Sequence, residues 1–428
     1  MKVLWVTNNV IPEIQRNISG TTGMMVNEGW INQVFSQLYG INHIELSIVC
    51  CGASRCLSGK NPKYEWYTLK EQYGDLYTLK QSTIDYFTDI IKRNNPDIIH
   101  VWGTEYPHTL GLLRAAEQCD MKSKVVVSIQ GLISFIAEHY LQGIDSSLIK
   151  AKTLYDILRN NTLKQQQTKF YERGCWEIES LKTVTHVIGR TYWDEICVRR
   201  INPQVVYHFC NETLRPPFYS DRWDYAKCQR HSIFVSQASY PIKGFHILLK
   251  ALPRLVEKYP DLCVYVGGTD PTLCRTLKDK LKYSSYGKIL RKMIDDLNLN
   301  SCIKFLGKLD AEQMKAQYLR ANVFVSCSVI ENSPNSLGEA MLLGCPIVAS
   351  NVGGVQTMLT HQKEGLLYVA EEFYILEYYI QQIFENTQKA VDMGENARKR
   401  ALLTHDAYKN LQDLMNIYIN ISNNEHVK

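Results

Sequence analysis

Two glutamates, Glu331 and Glu339, lie on either side of a short run of small polar residues that contains a proline. A β-rich run precedes them, and the pattern predicts a helix with Ser333 as its N-cap, Pro334 at its first position and Gly344 after its end. A helix N-terminus directly behind a strand offers backbone N–H groups and the positive end of the helix dipole. This arrangement suits a phosphate or diphosphate, with carboxylates placed to accept hydrogen bonds from hydroxyl groups.

The elements that must position these residues alternate between short β-branched runs and helical patterns in both halves of the chain. Such alternation indicates parallel, doubly wound sheets, in which ligands bind at the carboxyl ends of the strands. The segment 183–190 is expected to be the last strand of the first half. Four residues are expected at such strand ends: Asn8, Gly20, Thr104 and Gln130.

A Pro-containing, irregular stretch separates the two halves, and the strand–helix rhythm restarts after it. The expected architecture is therefore α/β, with two Rossmann-like domains that face a cleft. The predicted division is a first domain over 1–210, a linker over 211–230, a second domain over 231–395, and a C-terminal helix over 396–428 that packs back across the domains.

The composition excludes several classes of protein. The chain has 428 residues, 45% hydrophobic and 21% charged, which is typical of a globular protein with two domains. Its net charge of +5 comes without a Lys/Arg run, so no nucleic-acid partner is expected. The 13 cysteines form no CxxC pair and no signal peptide is expected, which disfavours zinc and favours free thiols in the cytoplasm. No apolar run is long enough to predict a membrane span.

The region around the two glutamates resembles the E-x7-E segment of the family 4 glycosyltransferases, which have the GT-B fold. The matching residues are Glu331, the SPN run at 333–335, EAM at 339–341, GCP at 344–346 and VGG at 352–354. The likeness covers roughly residues 231–369. It implies that 231–395 is the nucleotide-sugar donor domain and 1–210 the acceptor side. It also implies that Glu339 binds the ribose and that Glu331 lies by the donor sugar.

The same resemblance implies further donor contacts. Loop amides from Asn332 to Leu337 would hold the diphosphate and the sugar, and Leu309 would lie beside the nucleobase. The full set of expected donor-binding residues is Gln237, Gly244, Leu309, Asn332, Ser333, Pro334, Asn335, Ser336, Leu337, Glu339 and Arg190.

Lys243 lies in the segment YPIKG, which is similar to the family's x-P-x-K-G segment. A lone Lys-Gly pair is most often a solvated helix start, but this context implies an ammonium that stabilises the departing diphosphate, mainly in the transition state. The family usually has an arginine about five residues earlier, where this chain has Gln237. Arg190 is the candidate replacement, with a surface arginine as the alternative. Because no D-x-D occurs in the sequence, metal independence is expected.

The first half resembles the family less closely. Its glycine pair becomes Gly20-Thr21-Thr22-Gly23, and Gln130 stands where the family often has a histidine that contacts the sugar. Glutamine can bond a hydroxyl but cannot act as a general base. His100 and Glu105 are assigned to the acceptor side by position, although a structural role is favoured for His100.

The segment 148–173 contains six Lys/Arg residues and two acidic residues, with apolar residues interspersed. It could lie on an anionic membrane and approach a lipid-linked acceptor. A solvated flap on the first domain is the alternative, and it is slightly favoured.

The resemblance implies a retaining hexosyltransferase that moves a sugar from a UDP- or GDP-linked donor to a hydroxyl of a glycan or polyprenyl-linked oligosaccharide, as in bacterial surface polysaccharide synthesis. Glu331 and Lys243 would act at the reacting centre, and the leaving phosphate itself could take the acceptor's proton. The nucleotide sugar is the substrate, and no cofactor is expected. A sugar-nucleotide 2-epimerase and a non-catalytic sugar-nucleotide-binding subunit are the alternatives. The expected location is the cytoplasm, with the inner face of the membrane as an option.

Overall fold

The chain forms two compact α/β units in a computed structural model that describes residues 1–19, 29–71, 77–274, 276, 279 and 283–423. The first unit comprises 1–135, 170–213 and 405–428, and the second comprises 136–169 and 214–404. The predicted boundaries instead placed 136–169 in the first domain and 396–404 in the C-terminal helix. The division in the structure therefore differs from the predicted one at both places.

The described residues of the first unit contain eight strands: β1 (Lys2–Thr7), β2 (Glu45–Ala53), β3 (Ser58–Lys60), β4 (Tyr64–Lys70), β5 (Ile98–Trp102), β6 (Val125–Ser128), β7 (His186–Gly189) and β8 (Val206–Phe209). Their spatial order is β3-β4-β2-β1-β5-β6-β7-β8, and only β3 and β4 pair antiparallel. β5 and β6 are buried along their whole length, which explains their continuous apolar sequences.

The expectation that 183–190 is the last strand of the first half is wrong, because β8 follows β7 and pairs with it. β8 lies at the sheet edge and is buried at only one of its four positions, so its sequence lacks the apolar run of an internal strand. The described helices up to residue 213 are α1 (Pro12–Ser19), α2 (Gly29–Tyr39), α3 (Gln81–Asn94), α4 (Pro107–Gln118), α5 (Ile133–His139), α6 (Ser146–Ile149), α7 (Leu154–Arg159), α8 (Leu163–Thr183) and α9 (Tyr192–Ile201).

The described residues of the second unit contain six strands: β9 (Ser232–Val235), β10 (Cys263–Val266), β11 (Ile303–Phe305), β12 (Val323–Ser326), β13 (Ile347–Ser350) and β14 (Leu366–Tyr368). They pair in parallel in the order β11-β10-β9-β12-β13-β14. β9 and β12 are therefore neighbours, and the loops after them share one edge of the sheet.

The described helices of the remaining chain are α10 (Phe245–Lys258), α11 (Ser285–Asp296), α12 (Ala311–Arg320), α13 (Asn335–Leu343), α14 (Val355–Met358), α15 (Phe373–Glu385), α16 (Thr387–Thr404) and α17 (Ala407–Ser422). The segment predicted as one helix over 396–428 is thus divided between α16 and α17. α17 belongs to the first unit, where Trp5 Nε1 donates to Tyr418 Oη at 2.9 Å. No described helix combines the length and apolar character that a bilayer span needs.

Candidate active site

The loop between β12 and α13 begins at the carboxyl end of a fully buried strand. Pro334 is extended, with φ −69° and ψ 120°, and is the N-cap of α13, which begins at Asn335. The prediction of Ser333 as N-cap and Pro334 as first helical residue is therefore wrong by one position. The Pro334 carbonyl accepts the amides of Leu337 at 3.0 Å and Gly338 at 3.3 Å. The first-turn amides of a nine-residue helix thus follow the loop that carries Glu331.

Glu331 accepts two side-chain hydrogen bonds in this loop. Lys243 Nζ donates to its Oε1 at 2.6 Å, and Ser328 Oγ donates to the same oxygen at 2.7 Å. Its backbone carbonyl accepts the amide of Gly354 at 3.0 Å. Gly353 has φ +48°, and a Cβ there would lie 2.0 Å from the Glu331 carbonyl oxygen, so this close approach requires a glycine. The VGG segment therefore fixes the position of Glu331.

Lys243 ends a single 3-10 turn (Pro241–Lys243) that follows β9. The amide of Val329 donates to the carbonyl of Ile242 at 2.9 Å, which joins this turn to the loop after β12. Burial alone would lower the pKa of Lys243, but Glu331 and Tyr240 outweigh it and raise the pKa. The side chain keeps 21% of its surface exposed. The site thus holds a permanent ammonium that solvent, and a ligand, can reach.

Glu339, on α13, has only 3% of its side chain exposed and pairs with Arg215. Arg215 Nη2 and Nε lie 2.6 and 2.8 Å from Glu339 Oε1. Tyr318 Oη donates to the Ser336 carbonyl at 2.9 Å and lies 3.5 Å from Glu339 Oε2. Burial raises the pKa of Glu339 to about 7, against the opposing effects of Arg215 and Tyr318. Glu339 therefore changes charge near neutral pH.

Apart from Arg190, the structure places the other expected donor residues on the same unit. Gly244 is the N-cap of α10 with φ +64°, and a Cβ there would lie 1.8 Å from the Cys327 carbonyl oxygen. Gln237 is half-buried after β9 and accepts a long, 3.4 Å hydrogen bond from Tyr240 Oη. Leu309 is half-buried just before Asp310, the N-cap of α12. Asn332, Pro334 and Leu337 are buried, whereas Ser333, Asn335 and Ser336 are half-buried. These roles stay predictions.

Comparison with known proteins shows what the sequence of this unit resembles. Residues 221–400 match the family model described as glycosyl transferases group 1. Through these residues, fewer than half of the chain, the protein is similar to that family. The matched range contains Lys243, Glu331 and Glu339, so the geometry above lies in the region that resembles the family.

Curated relatives are distant and are covered in part. A D-inositol 3-phosphate glycosyltransferase of Corynebacterium urealyticum is 27% identical over 37% of this chain and 36% of its own length. Spore coat protein SA of Bacillus subtilis is 24% identical over 56% of this chain and 65% of its own length. N-acetyl-alpha-D-glucosaminyl L-malate synthase of Bacillus anthracis is 22% identical over 78% of this chain and 77% of its own length. The chain thus spans between about a third and two thirds of the first two relatives.

Solved glycosyltransferase structures share the fold over nearly the whole chain. Sucrose-phosphate synthase from Thermosynechococcus elongatus superposes with a TM-score of 0.69, covering 98% of this chain and 99% of its own at 16% identity. Anabaena HepE in complex with UDP and glucose has a TM-score of 0.64, covering 97% of this chain and 99% of its own at 16% identity. WaaG, a glycosyltransferase involved in lipopolysaccharide biosynthesis, has a TM-score of 0.62, covering 98% of this chain and 99% of its own at 12% identity. At these identities the likeness shows the fold alone, and that fold is GT-B.

Arg190, the expected replacement for the family's arginine, is engaged inside the first unit. Its guanidinium pairs with Glu212, and its Nη2 donates to the carbonyl of Ile129 at 3.0 Å. Only 6% of the Arg190 side chain is exposed. Binding a diphosphate would require Arg190 to leave a buried ion pair, which is costly. Arg215, in the segment expected to be a linker, is a second arginine, and no sequence pattern singled it out.

The expected acceptor-side residues belong to the first unit. Gln130 Nε2 donates to Glu212 Oε1 at 3.1 Å, and Glu105 accepts from Asn8 Nδ2 at 2.7 Å. His100 is fully buried, its Nε2 lies 2.7 Å from Ser128 Oγ, and burial lowers its pKa to about 3. Its other ring nitrogen is bonded to Tyr418 Oη, which supports the structural role that was favoured for His100. Gly20 and Thr21 lie outside the described residues.

Proposed function

We propose that this protein is a retaining glycosyltransferase that moves a sugar from a nucleotide-diphosphate sugar to a hydroxyl of a glycan or lipid-linked oligosaccharide, in surface polysaccharide synthesis. The observation that carries the proposal is the ion pair between Lys243 and Glu331, at the edge where β12 leads into α13. A cation, a carboxylate and first-turn helix amides together match a diphosphate with a sugar attached.

The diphosphate is the leaving group, and its negative charge increases as the bond to the sugar breaks. Lys243 would move its hydrogen bond from Glu331 to the leaving oxygen, and the α13 amides would bind the other phosphate oxygens. These two sources of positive charge support a reaction that needs no divalent metal. Glu331, released from Lys243, would then orient hydroxyls of the donor sugar.

Retention of configuration requires the acceptor hydroxyl to attack the face from which the diphosphate departs. The leaving phosphate is then the nearest base, and we assign it the acceptor's proton. Arg215 donates to one oxygen of the Glu339 carboxylate. Glu339 would accept hydrogen bonds from the ribose while it keeps this bond to Arg215. The proposed donor is a UDP- or GDP-linked sugar.

A membrane-bound acceptor is supported by the surface of α7 in the second unit. Leu154, Ile157 and Leu158 follow helical spacing and are 59%, 60% and 68% exposed. Exposed basic residues surround them in sequence: Lys150, Lys152, Arg159 and Lys164. An apolar face with a basic surround matches an anionic bilayer surface, where a polyprenyl-linked acceptor would lie.

The test is a panel of UDP- and GDP-sugars incubated with oligosaccharide and polyprenyl-linked acceptors, with and without EDTA. We expect transfer from one donor, unchanged by EDTA, with the anomeric configuration retained in the product NMR spectrum. Epimerised donor without transfer would establish a 2-epimerase instead. Donor binding without any turnover of donor would establish a non-catalytic subunit.

A further inference from the structure

Four polar side chains of the first unit meet at one edge of its sheet, where β1, β4 and β5 end. Asn8 follows β1, Glu71 follows β4, Glu105 follows β5, and His108 lies in the first turn of α4. This edge of a parallel sheet is where ligands bind in doubly wound folds. The sequence singled out Asn8 and Glu105 separately, but it gave no sign that Glu71 and His108 connect to them.

The four side chains form one continuous chain of hydrogen bonds. Glu71 Oε1 lies 2.8 Å from His108 Nδ1, and His108 Nε2 lies 2.9 Å from Asn8 Oδ1. Asn8 Nδ2 then donates to Glu105 Oε2 at 2.7 Å. The second Glu71 oxygen accepts the amide of Gly52 at 2.9 Å, so this end of the chain is fixed to the backbone.

The direction of these bonds fixes one hydrogen on the ring. Asn8 uses its NH2 group on Glu105, so the atom that faces His108 is its oxygen. The Nε2 of His108 therefore faces an oxygen acceptor and must carry a hydrogen. The sulfur of Cys51 lies within 4.8 Å of the ligand atoms of Glu71 and His108, but the bond to Asn8 keeps Nε2 in the hydrogen-bonded chain.

The backbone at Gly103 leaves room for the hydrogen bond between Asn8 and Glu105. Gly103 has φ +113°, and a Cβ there would lie 2.3 Å from Asn8 Nδ2 and 2.4 Å from Glu105 Oε2. Only glycine leaves room for the amide and the carboxylate to meet. The His108 side chain is 1% exposed and that of Glu71 8%, whereas Glu105 is half-buried at the strand end. The chain therefore runs from a buried Glu71–His108 hydrogen bond to a carboxylate that solvent can reach.

A purely structural role explains this arrangement poorly, because apolar residues often replace buried polar or charged pairs without loss of stability. We propose that Glu71, His108 and Asn8 are positioning residues that hold the carboxylate of Glu105 to accept a hydrogen bond from the acceptor's attacking hydroxyl. This inference rests on the proposed glycosyl transfer. It assigns acceptor recognition to a carboxylate held by three other side chains, with no proton transfer through the chain.

Kinetics with the donor and acceptor found above test the positioning role in the full-length protein. Glu105→Gln, Asn8→Ala and His108→Gln should each raise the acceptor KM or lower kcat by about tenfold or more, and leave donor affinity unchanged. Because Asn8 acts through Glu105, the double variant Asn8→Ala/Glu105→Gln should be no worse than Glu105→Gln alone. His186→Gln is the matched control: it removes another buried histidine of the same sheet, bonded to His208 at 3.1 Å, and should leave the acceptor KM unchanged.

Effects that add fully in the double variant, or an unchanged acceptor KM in variants with normal donor binding, would overturn the positioning role. A second measurement separates this failure from failure of the proposed function. In ¹⁵N-histidine NMR spectra, with the His108 signals assigned through His108→Gln, the Nε2 of His108 should carry a proton. An unprotonated Nε2 would refute the hydrogen-bonded chain itself. A wild-type protein that transfers no sugar would refute the proposed function, and the acceptor role with it, even where Nε2 is protonated.

Discussion

Glu339 is a buried carboxylate whose charge depends on its surroundings. Burial favours its neutral form, while Arg215 and Tyr318 favour the ionised form, and the resulting pKa is about 7. A ribose would require the ionised form, because a carboxylate that accepts two hydroxyl hydrogen bonds must carry no proton. The predicted role of this residue therefore makes donor binding sensitive to pH in the neutral range.

We predict that donor affinity increases by roughly tenfold between pH 6 and pH 8, because the ionised fraction of a group with this pKa increases from about a tenth to about nine tenths. Isothermal titration calorimetry with an intact nucleotide sugar measures this directly. Glu339→Gln should bind more weakly and lose the dependence on pH. Wild-type affinity that stays constant over this range would contradict the ribose role, as would a dependence that survives in Glu339→Gln.

Residue types and spacing singled out Glu331 and Glu339 as candidates, and the resemblance added Lys243, because the patterns around all three are local in sequence. Arg215 was missed, because its partner Glu339 is 124 positions away and nothing in the RPP run around it indicates an ion pair. The chain of bonds from Glu71 to Glu105 was missed for the same reason. Contacts between distant segments follow from packing, which a single sequence does not specify.

At the scale of elements, two tight junctions bring Lys243 and Glu331 together. Gly244 lets α10 begin directly behind the lysine, and Gly353 lets the VGG segment pass behind the glutamate. The sequence predicted the strand and helix on each side but misplaced the start of α13 by one residue. The extended conformation of Pro334 decides this start, and both positions fit the general preference for proline near helix N-termini.

Gly244→Ala should destabilise the protein and weaken donor binding. Its new Cβ would lie 1.8 Å from the Cys327 carbonyl oxygen, so the turn that carries Lys243 would have to move. A shift of about 1 Å at such a group is expected to weaken binding by roughly tenfold or more. Denaturant unfolding and donor titration are the measurements.

Gly307→Ala is the matched control for this substitution. Gly307 also has a positive φ, of +76°, but a Cβ there would meet nothing within 4 Å. Gly307→Ala should lower the free energy of unfolding by only about 1–2 kcal/mol, which is the cost of placing a residue with a Cβ in the left-handed conformation. Equal losses in the two variants would show that the contact with Cys327 is not what requires glycine at Gly244.

At the scale of the whole molecule, the alternation of strands and helices was enough to predict two Rossmann-like units. It could not assign 136–169 to the second unit, although this segment precedes the last strands of the first. Ser285 Oγ donates to the carbonyl of Ala151 at 2.8 Å and also to the carboxylate of Asp156. No local sequence pattern predicts these contacts. The basic segment 148–173 is thus anchored partly on the unit that carries the donor residues.

The exposed face of α7 leads to a prediction about the location of the whole molecule. Replacing Leu154, Ile157 and Leu158 by serine should abolish co-sedimentation with vesicles that contain anionic lipids, because the apolar face is lost while the basic residues remain. The matched control is Leu402→Ser/Leu403→Ser, which removes leucines that are 41% and 72% exposed on α16. Unchanged sedimentation of the α7 variant, or equal loss in both variants, would contradict the membrane role.

The central claim is that Lys243 and Glu339 bind a nucleotide sugar in the second unit. Calorimetric titration of the wild type, Lys243→Ala and Glu339→Ala with UDP- and GDP-sugars tests it most directly. The account predicts that the wild type binds one of these donors, and that each substitution weakens binding by roughly 10–100-fold, as expected for loss of a charged hydrogen bond of about 1.5–3 kcal/mol. Folded variants that bind the donor as tightly as the wild type would contradict it.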